Sequence, residues 1–189
     1  MANANNSLVT GKFKGSLGKE LVFREWEGKT IVAKAPKSRS GDPTPAQAEL
    51  QEKFLLASRY AKAIQKNADQ SLAHAYAGAV RPRQNAYCRA MEDFLSAPVV
   101  KVIDTRPYKG AVGDTITIRA VDDFRVTGVH IEIHAPDGSL LEAGDATQNI
   151  NGIDWTYTTT QANNLLSGSS IKAIASDVPG NEGTLEVRL

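Results

Sequence analysis

FLSAPVVKVIDT, residues 94–105, is where the chain changes its period. From Leu50 to Leu95 the apolar residues recur at helical spacing, and from Val99 onward they alternate. Ser96-Ala97-Pro98 separates the two regimes, because a proline has no amide hydrogen to give and fits badly inside a helix. The same seam divides the charge. Residues 1–98 carry 15 Lys and Arg against 9 Asp and Glu, a net of +6, whereas residues 99–189 carry 7 against 12, a net of −5. The formal +1 of the whole chain hides two halves of opposite sign. Such a molecule attracts copies of itself head to tail.

Upstream of the seam the spacing predicts helices over 45–66, 70–80 and 82–95. In the first, Leu50, Phe54, Ala57, Ala61 and Ile64 form one stripe. Thr44-Pro45-Ala46-Gln47 reads as its start, with Thr44 as N-cap and Gln47 completing a capping box. Residues 36–45 hold three prolines and form a linker. Residues 7–35 read as short strands, with 21–26 and 29–33 flanking Glu27-Gly28 as a β-hairpin. Leu21, Phe23 and Trp26 are expected toward one face, opposite Ile31 and Ala33. A lone hairpin is unstable in water, so this one packs on the helices or on another copy.

Downstream, period two predicts seven short strands, over 99–104, 115–121, 129–135, 139–143, 153–159, 170–176 and 184–189. Seven strands with regular turns in about 90 residues favour an immunoglobulin-type sandwich. The expected fold is α+β and multidomain: an arm, hairpin and linker at 1–43, a helical segment at 44–98, and a seven-stranded immunoglobulin-like β-sandwich at 99–189.

Four stretches carry a resemblance: Gly113-Asp114-Thr115-Ile116-Thr117-Ile118, Ala120-Val121-Asp122-Asp123, Trp155-Thr156-Tyr157 and Ala175-Ser176-Asp177-Val178-Pro179-Gly180-Asn181. With them the C-terminal half resembles bacterial immunoglobulin-like domains, a group found in adhesins, glycan-processing enzymes and phage virion proteins. The N-terminal half is similar to uncharacterised Bacteroidota proteins through Gly15 to Gly18, Val22-Phe23-Arg24, Glu27-Gly28-Lys29 and Thr44-Pro45-Ala46-Gln47. That similarity implies no activity.

The chemistry in the sequence is sparse. Cys88 is the single cysteine, so no intrachain disulfide is expected. No phosphate loop, dinucleotide fingerprint or Ser-His-Asp set is found, and no catalytic, cofactor or metal residue is assigned. His130, Glu132 and His134 share one strand face and read as an exposed polar surface. Asp122, Asp123, Asp177 and Asn181 have oxygens suited to calcium, and turn chemistry explains the same residues.

Basic residues from Lys12 to Arg39 interleave with Phe13, Phe23 and Trp26 as in single-strand binders, but Glu20, Glu25 and Glu27 interrupt them. Residues 1–10 lack a secretory signal and no apolar run nears the ~20 residues of a membrane span. The product is therefore expected to be cytoplasmic or held in a virion or released particle, without a membrane partner. The reading is a non-enzymatic structural subunit that self-assembles through Leu8, Phe13, Leu21, Phe23, Trp26 and Ile31. Alternative readings are a binding module for a glycan or protein, and a nucleic-acid binder.

Overall fold

The computed structural model describes residues 2–3, 13–26, 28–37 and 41–189. Among the described residues the protein is mixed α and β, with three helices and three antiparallel sheets. It divides into two compact units, Met1–Thr44 and Pro45–Leu189.

The first unit is a four-stranded sheet of β1 (Ala2–Asn3), β2 (Gly15–Leu17), β3 (Leu21–Trp26) and β4 (Lys29–Lys34), in the order β1-β4-β3-β2. The two long strands are rich in the β-branched and aromatic residues that suit a pleated surface. Gly18 turns the chain from β2 into β3 at φ 59°, a conformation L side chains seldom adopt. Cross-strand pairs in register, Leu17↔Leu21, Gly15↔Phe23 and Phe23↔Val32, fall on one face. Arg24↔Ile31 and Val22↔Ala33 fall on the other. Position 26 pairs with Lys29 at the end of the hairpin, and the side chain of Trp26, expected toward the face of Leu21 and Phe23, lies outside what the structure describes.

In the second unit, α1 (Pro45–Lys66), α2 (Ser71–Gly78) and α3 (Ala86–Leu95) come first. The last helix begins at Ala86 rather than at Pro82. Arg83 sits at φ 69°, which no helix accommodates. Asn85 then caps the new start, its Oδ1 accepting from the Cys88 amide at 2.8 Å. Likewise α2 begins at Ser71, whose amide donates to Asp69 Oδ1 at 2.8 Å. Ala57, Ala61 and Ile64 of α1 pack with Tyr76, Ala90 and Met91.

Eight strands follow: β5 (Val99–Asp104), β6 (Thr115–Val121), β7 (Val126–His134), β8 (Leu140–Asp145), β9 (Thr147–Gln148), β10 (Asp154–Thr158), β11 (Ser170–Asp177) and β12 (Glu182–Arg188). They make two sheets, β5-β6-β10-β9 and β12-β11-β7-β8. The two sheets share one core. Ile116 and Ile118 of β6 with Trp155 and Tyr157 of β10 meet Val129, Ile131 and Ile133 of β7 and Ile171, Ala173 and Ala175 of β11. The alternation that marks these strands is the alternation of buried and half-buried positions. The two-residue β9, paired with β10, is too short to show a period.

Beside β5, the start of β12 passes so close that a Cβ at Gly183 would lie 1.7 Å from the Pro98 carbonyl oxygen. Only a residue without a side chain fits under that carbonyl. Gly183→Ala is expected to cost about 2–4 kcal/mol in urea unfolding. Gly128→Ala, with open space at its Cβ, should stay within about 0.5 kcal/mol of wild type.

Candidate functional site

Two regions collect the residues that sequence reasoning singled out or missed. The first is the apolar face of the four-stranded sheet. Phe23 is buried there, and Phe13 meets it edge-on at 5.7 Å with the rings inclined by 78°. Phe13, Leu17 and Leu21 remain 47%, 59% and 38% exposed on their side of that contact. The structure thus brings Phe13, Leu21 and Phe23 together, with Leu17 added to the expected set, and puts Ile31 on the opposite face. Leu8 lies outside the described residues. Lys14 pairs with Glu25 across the rim. Leu17 belongs to a three-residue strand, so its place on this face comes from register and not from any periodicity of its own.

The second region lies where α2 and α3 meet the loops of the two larger sheets. Asp93 on α3 is wholly buried. Its Oδ2 accepts from the Tyr76 hydroxyl at 2.5 Å, and Tyr60 Oη lies 2.9 Å from Tyr76 Oη. Tyr76 has a single proton and gives it to Asp93, so Tyr60 donates to Tyr76. Asp93 Oδ1 has no partner among the described residues. Burial, with the negative charges of Asp122 and Asp177 nearby, pushes the Asp93 carboxyl up to about 6 against the pull of Tyr76 and Arg89. Burial and the same hydrogen bonds hold the Tyr76 hydroxyl far above its ordinary value, so it stays a donor.

One turn back on α3, the buried Arg89 reaches Asp123 Oδ2 at 3.0 Å and Glu92 Oε2 at 2.9 Å, and donates to the Asp123 carbonyl. Arg81 holds the same two carboxylates from outside, at 2.8 Å to Glu92. Phe124, next in the loop, stacks on Tyr76 at 4.4 Å with Arg89 over its ring.

The four residues weighed for calcium are drawn into this junction, with Asp122 Oδ1 left buried and without a hydrogen-bond partner among the described residues. Asp122 Oδ2 accepts from the amides of Phe124 and Arg125, at 3.0 and 2.8 Å. Asp123 holds the two arginines. Asp177 Oδ1 accepts from the amides of Gly180 and Asn181, at 2.8 and 2.6 Å. Asn181 Nδ2 donates to Asp177 Oδ2 at 2.7 Å and lies within 3.2–3.4 Å of three carbonyls at the end of α3. Among the described residues no group of three or more His, Cys, Asp or Glu is placed to hold a metal.

The histidine face is outward as expected. His130 Nδ1 lies 2.6 Å from Asp145 Oδ1, and Lys172 pairs with Glu132 at 3.2 Å. Trp155 is in the core.

A further buried acid, Glu142, is treated differently from Asp93. It takes hydrogen bonds from the Tyr157 hydroxyl, the Thr160 amide and hydroxyl, and the Gln161 amide. Burial alone would raise its pKa, but these four donors outweigh burial and lower it. Nothing in the sequence distinguishes the two acids. Each is a charged residue in a regular element, which ordinarily marks a wet face.

No family model matches the chain, and no curated protein matches it. Among solved structures it is similar to a crystal structure of an engineered protein from the Northeast Structural Genomics Consortium, at 24% identity and a TM-score of 0.34. The match covers 48% of this chain and 18% of the engineered one, so it spans under a fifth of that protein.

The Asp93 geometry sets a sign for pH dependence. An acid held above its unfolded value stabilises the fold fully below about pH 4 and loses that contribution as pH rises through about 6. The loss is about 3 kcal/mol for a two-unit shift. Asp93→Asn keeps an acceptor for Tyr76 and removes the charge. Urea unfolding from pH 4 to 7.5 should show wild type falling relative to Asp93→Asn by roughly that amount. Parallel pH profiles for the two proteins would show that Asp93 ionises freely.

Proposed function

We propose that this protein is a non-enzymatic structural subunit that assembles with copies of itself into a filament, tube or phage-like particle. The observation that carries the reading is the apolar face of the first unit. Phe13, Leu17 and Leu21 stand exposed around Phe23 on one side of a small sheet. β2 ends that sheet, and an edge strand presents backbone donors and acceptors to which another chain adds. Burying three such side chains is worth about 1.5–3 kcal/mol each at full burial, and a neighbouring copy offers the same face and edge. The opposite charges of residues 1–98 and 99–189 favour head-to-tail encounter. A head-to-tail contact that does not close grows as an open polymer.

In the second unit we read the two sheets around one core as an immunoglobulin-like sandwich. Two antiparallel sheets of four, with inward rows at period two, support it.

A second reading, a binding module for a polar glycan or protein, is favoured by one feature. A hollow of about 360 Å³ on the outer face of β7, β11 and β12 is lined by His134, Ser170, Lys172, Glu186 and Arg188. It calls for a ligand-dependent rise in melting temperature.

Static light scattering and negative-stain microscopy of the purified protein test the main reading. Large assemblies are expected, and deleting residues 1–14 or introducing Leu17→Glu should dissolve them. A monomer at every salt concentration from 20 mM to 1 M, a range of about 30 to 3 Å in screening length, would end the proposal.

A further inference from the structure

The first three turns of α1 reach beyond the helices that cover the rest of it. α1 has 22 residues, whereas α2 and α3 have 8 and 10. The buried residues of α1, Ala57, Ala61 and Ile64, all lie in its second half. The same stripe runs on toward the N-terminus as Leu50 and Phe54, at the same spacing of three and four, and there the side chains are 67% and 59% exposed. Two large apolar groups in line with a core, yet left in water, mark a contact that this unit does not complete.

The edges of the stripe say what completes it. Along one edge Glu49 and Lys53 lie four residues apart, with Lys53 Nζ 2.9 Å from Glu49 Oε1 and both side chains mostly exposed. Along the other edge stand Gln47 and Gln51, which are uncharged. The overhang has no net charge on its flanks to recruit a strongly acidic or basic partner. It is instead complementary to itself. A second α1 laid antiparallel across it brings like edge against like edge. Glu49 of one copy then faces Lys53 of the other, and Lys53 faces Glu49. A parallel two-fold arrangement would instead set the Glu49 and Lys53 edge against the uncharged Gln47 and Gln51 edge, and no ion pair would cross. The antiparallel arrangement also opposes the two helix dipoles.

We propose that the overhang of α1 is a two-fold contact between copies of this chain. Leu50 and Phe54 of each copy interlock at the centre, and Glu49 and Lys53 trade their intrachain partner for the one across the axis. Such a contact is isologous, each residue meeting its counterpart's partner. It uses none of Phe13, Leu17, Leu21 or Phe23, so it is separate from the sheet contact and pairs subunits whether or not that contact forms a polymer.

Sedimentation equilibrium on the full chain carrying Phe13→Glu and Leu17→Glu tests it, because those changes remove the sheet contact that would otherwise mask a dimer. The parent should sediment as a dimer at micromolar concentration. Adding Phe54→Glu should raise the dissociation constant by about a hundredfold or more. Adding Lys53→Glu should raise it about tenfold at low salt, and the exchange Glu49→Lys with Lys53→Glu should return it to the parent value. Circular dichroism of each variant checks that the fold is kept.

A monomeric parent overturns the proposal, including the case in which the chain's own residues cover the stripe. A dimer indifferent to Phe54→Glu overturns it as well. A charge exchange that fails to restore pairing overturns the antiparallel geometry. Failure of the sheet contact reads out separately, as wild type and parent of equal size.

Discussion

Asn181 ties the last turn of α3 to the loop between β11 and β12, and the arrangement of the second unit rests on that joint. A helix ends with carbonyls that no later amide can satisfy. Here the Ser96 amide takes the Asp93 carbonyl, and a side-chain amide from the sheets comes within 3.2–3.4 Å of the carbonyls of Asp93, Phe94 and Ser96. Asp177 holds Asn181 in place through both its amide groups, backbone and side chain. The helical core is small, with three of its six buried members alanines, and offers little apolar area of its own. Once the C-terminus of α3 is fixed, its inner face sets Asp93 against Tyr76 and Arg89 against Asp123. Phe124 completes the contact from the sheet side.

Donor supply, more than depth, decides which buried acid carries charge. Glu142 and Asp93 are both nearly or wholly inaccessible. Four hydrogen bonds converge on Glu142 and hold it ionised. Asp93 has one, faces two other carboxylates, and keeps its proton to higher pH. The joint is therefore most firmly made when Asp93 is neutral, and the sandwich-side network when Glu142 is charged.

The mixed α and β character was legible because each half keeps one period for long stretches. Ile116 and Ile118, Val129, Ile131 and Ile133, and Ile171 announce their burial by alternation alone. Helix starts were less legible. Pro82 suits a first helical position, yet the chain spends Arg81 to Gln84 in a turn and lets Asn85 do the capping. Faces of short strands were illegible where register sets them, as with Leu17, which pairs with Leu21. Asp93 and Arg89 were hidden for another reason. A charged side chain is ordinarily a sign of water, and only the tertiary contact shows that these two point inward. Leu50 and Phe54 mislead in the reverse sense, since their spacing reads as core while both remain exposed.

The passage of Gly183 beneath the Pro98 carbonyl puts the first and the last strand of the second unit side by side. Their sequence separation is nearly the whole length of that β region, and contacts so distant along a chain form slowly. Until β12 docks, β11 lacks one of its two neighbours. The loop that carries Asn181 runs straight into β12, so the strand that closes the sheet and the side chain that closes the helix arrive together, and a chain stalled before this last pairing lacks both.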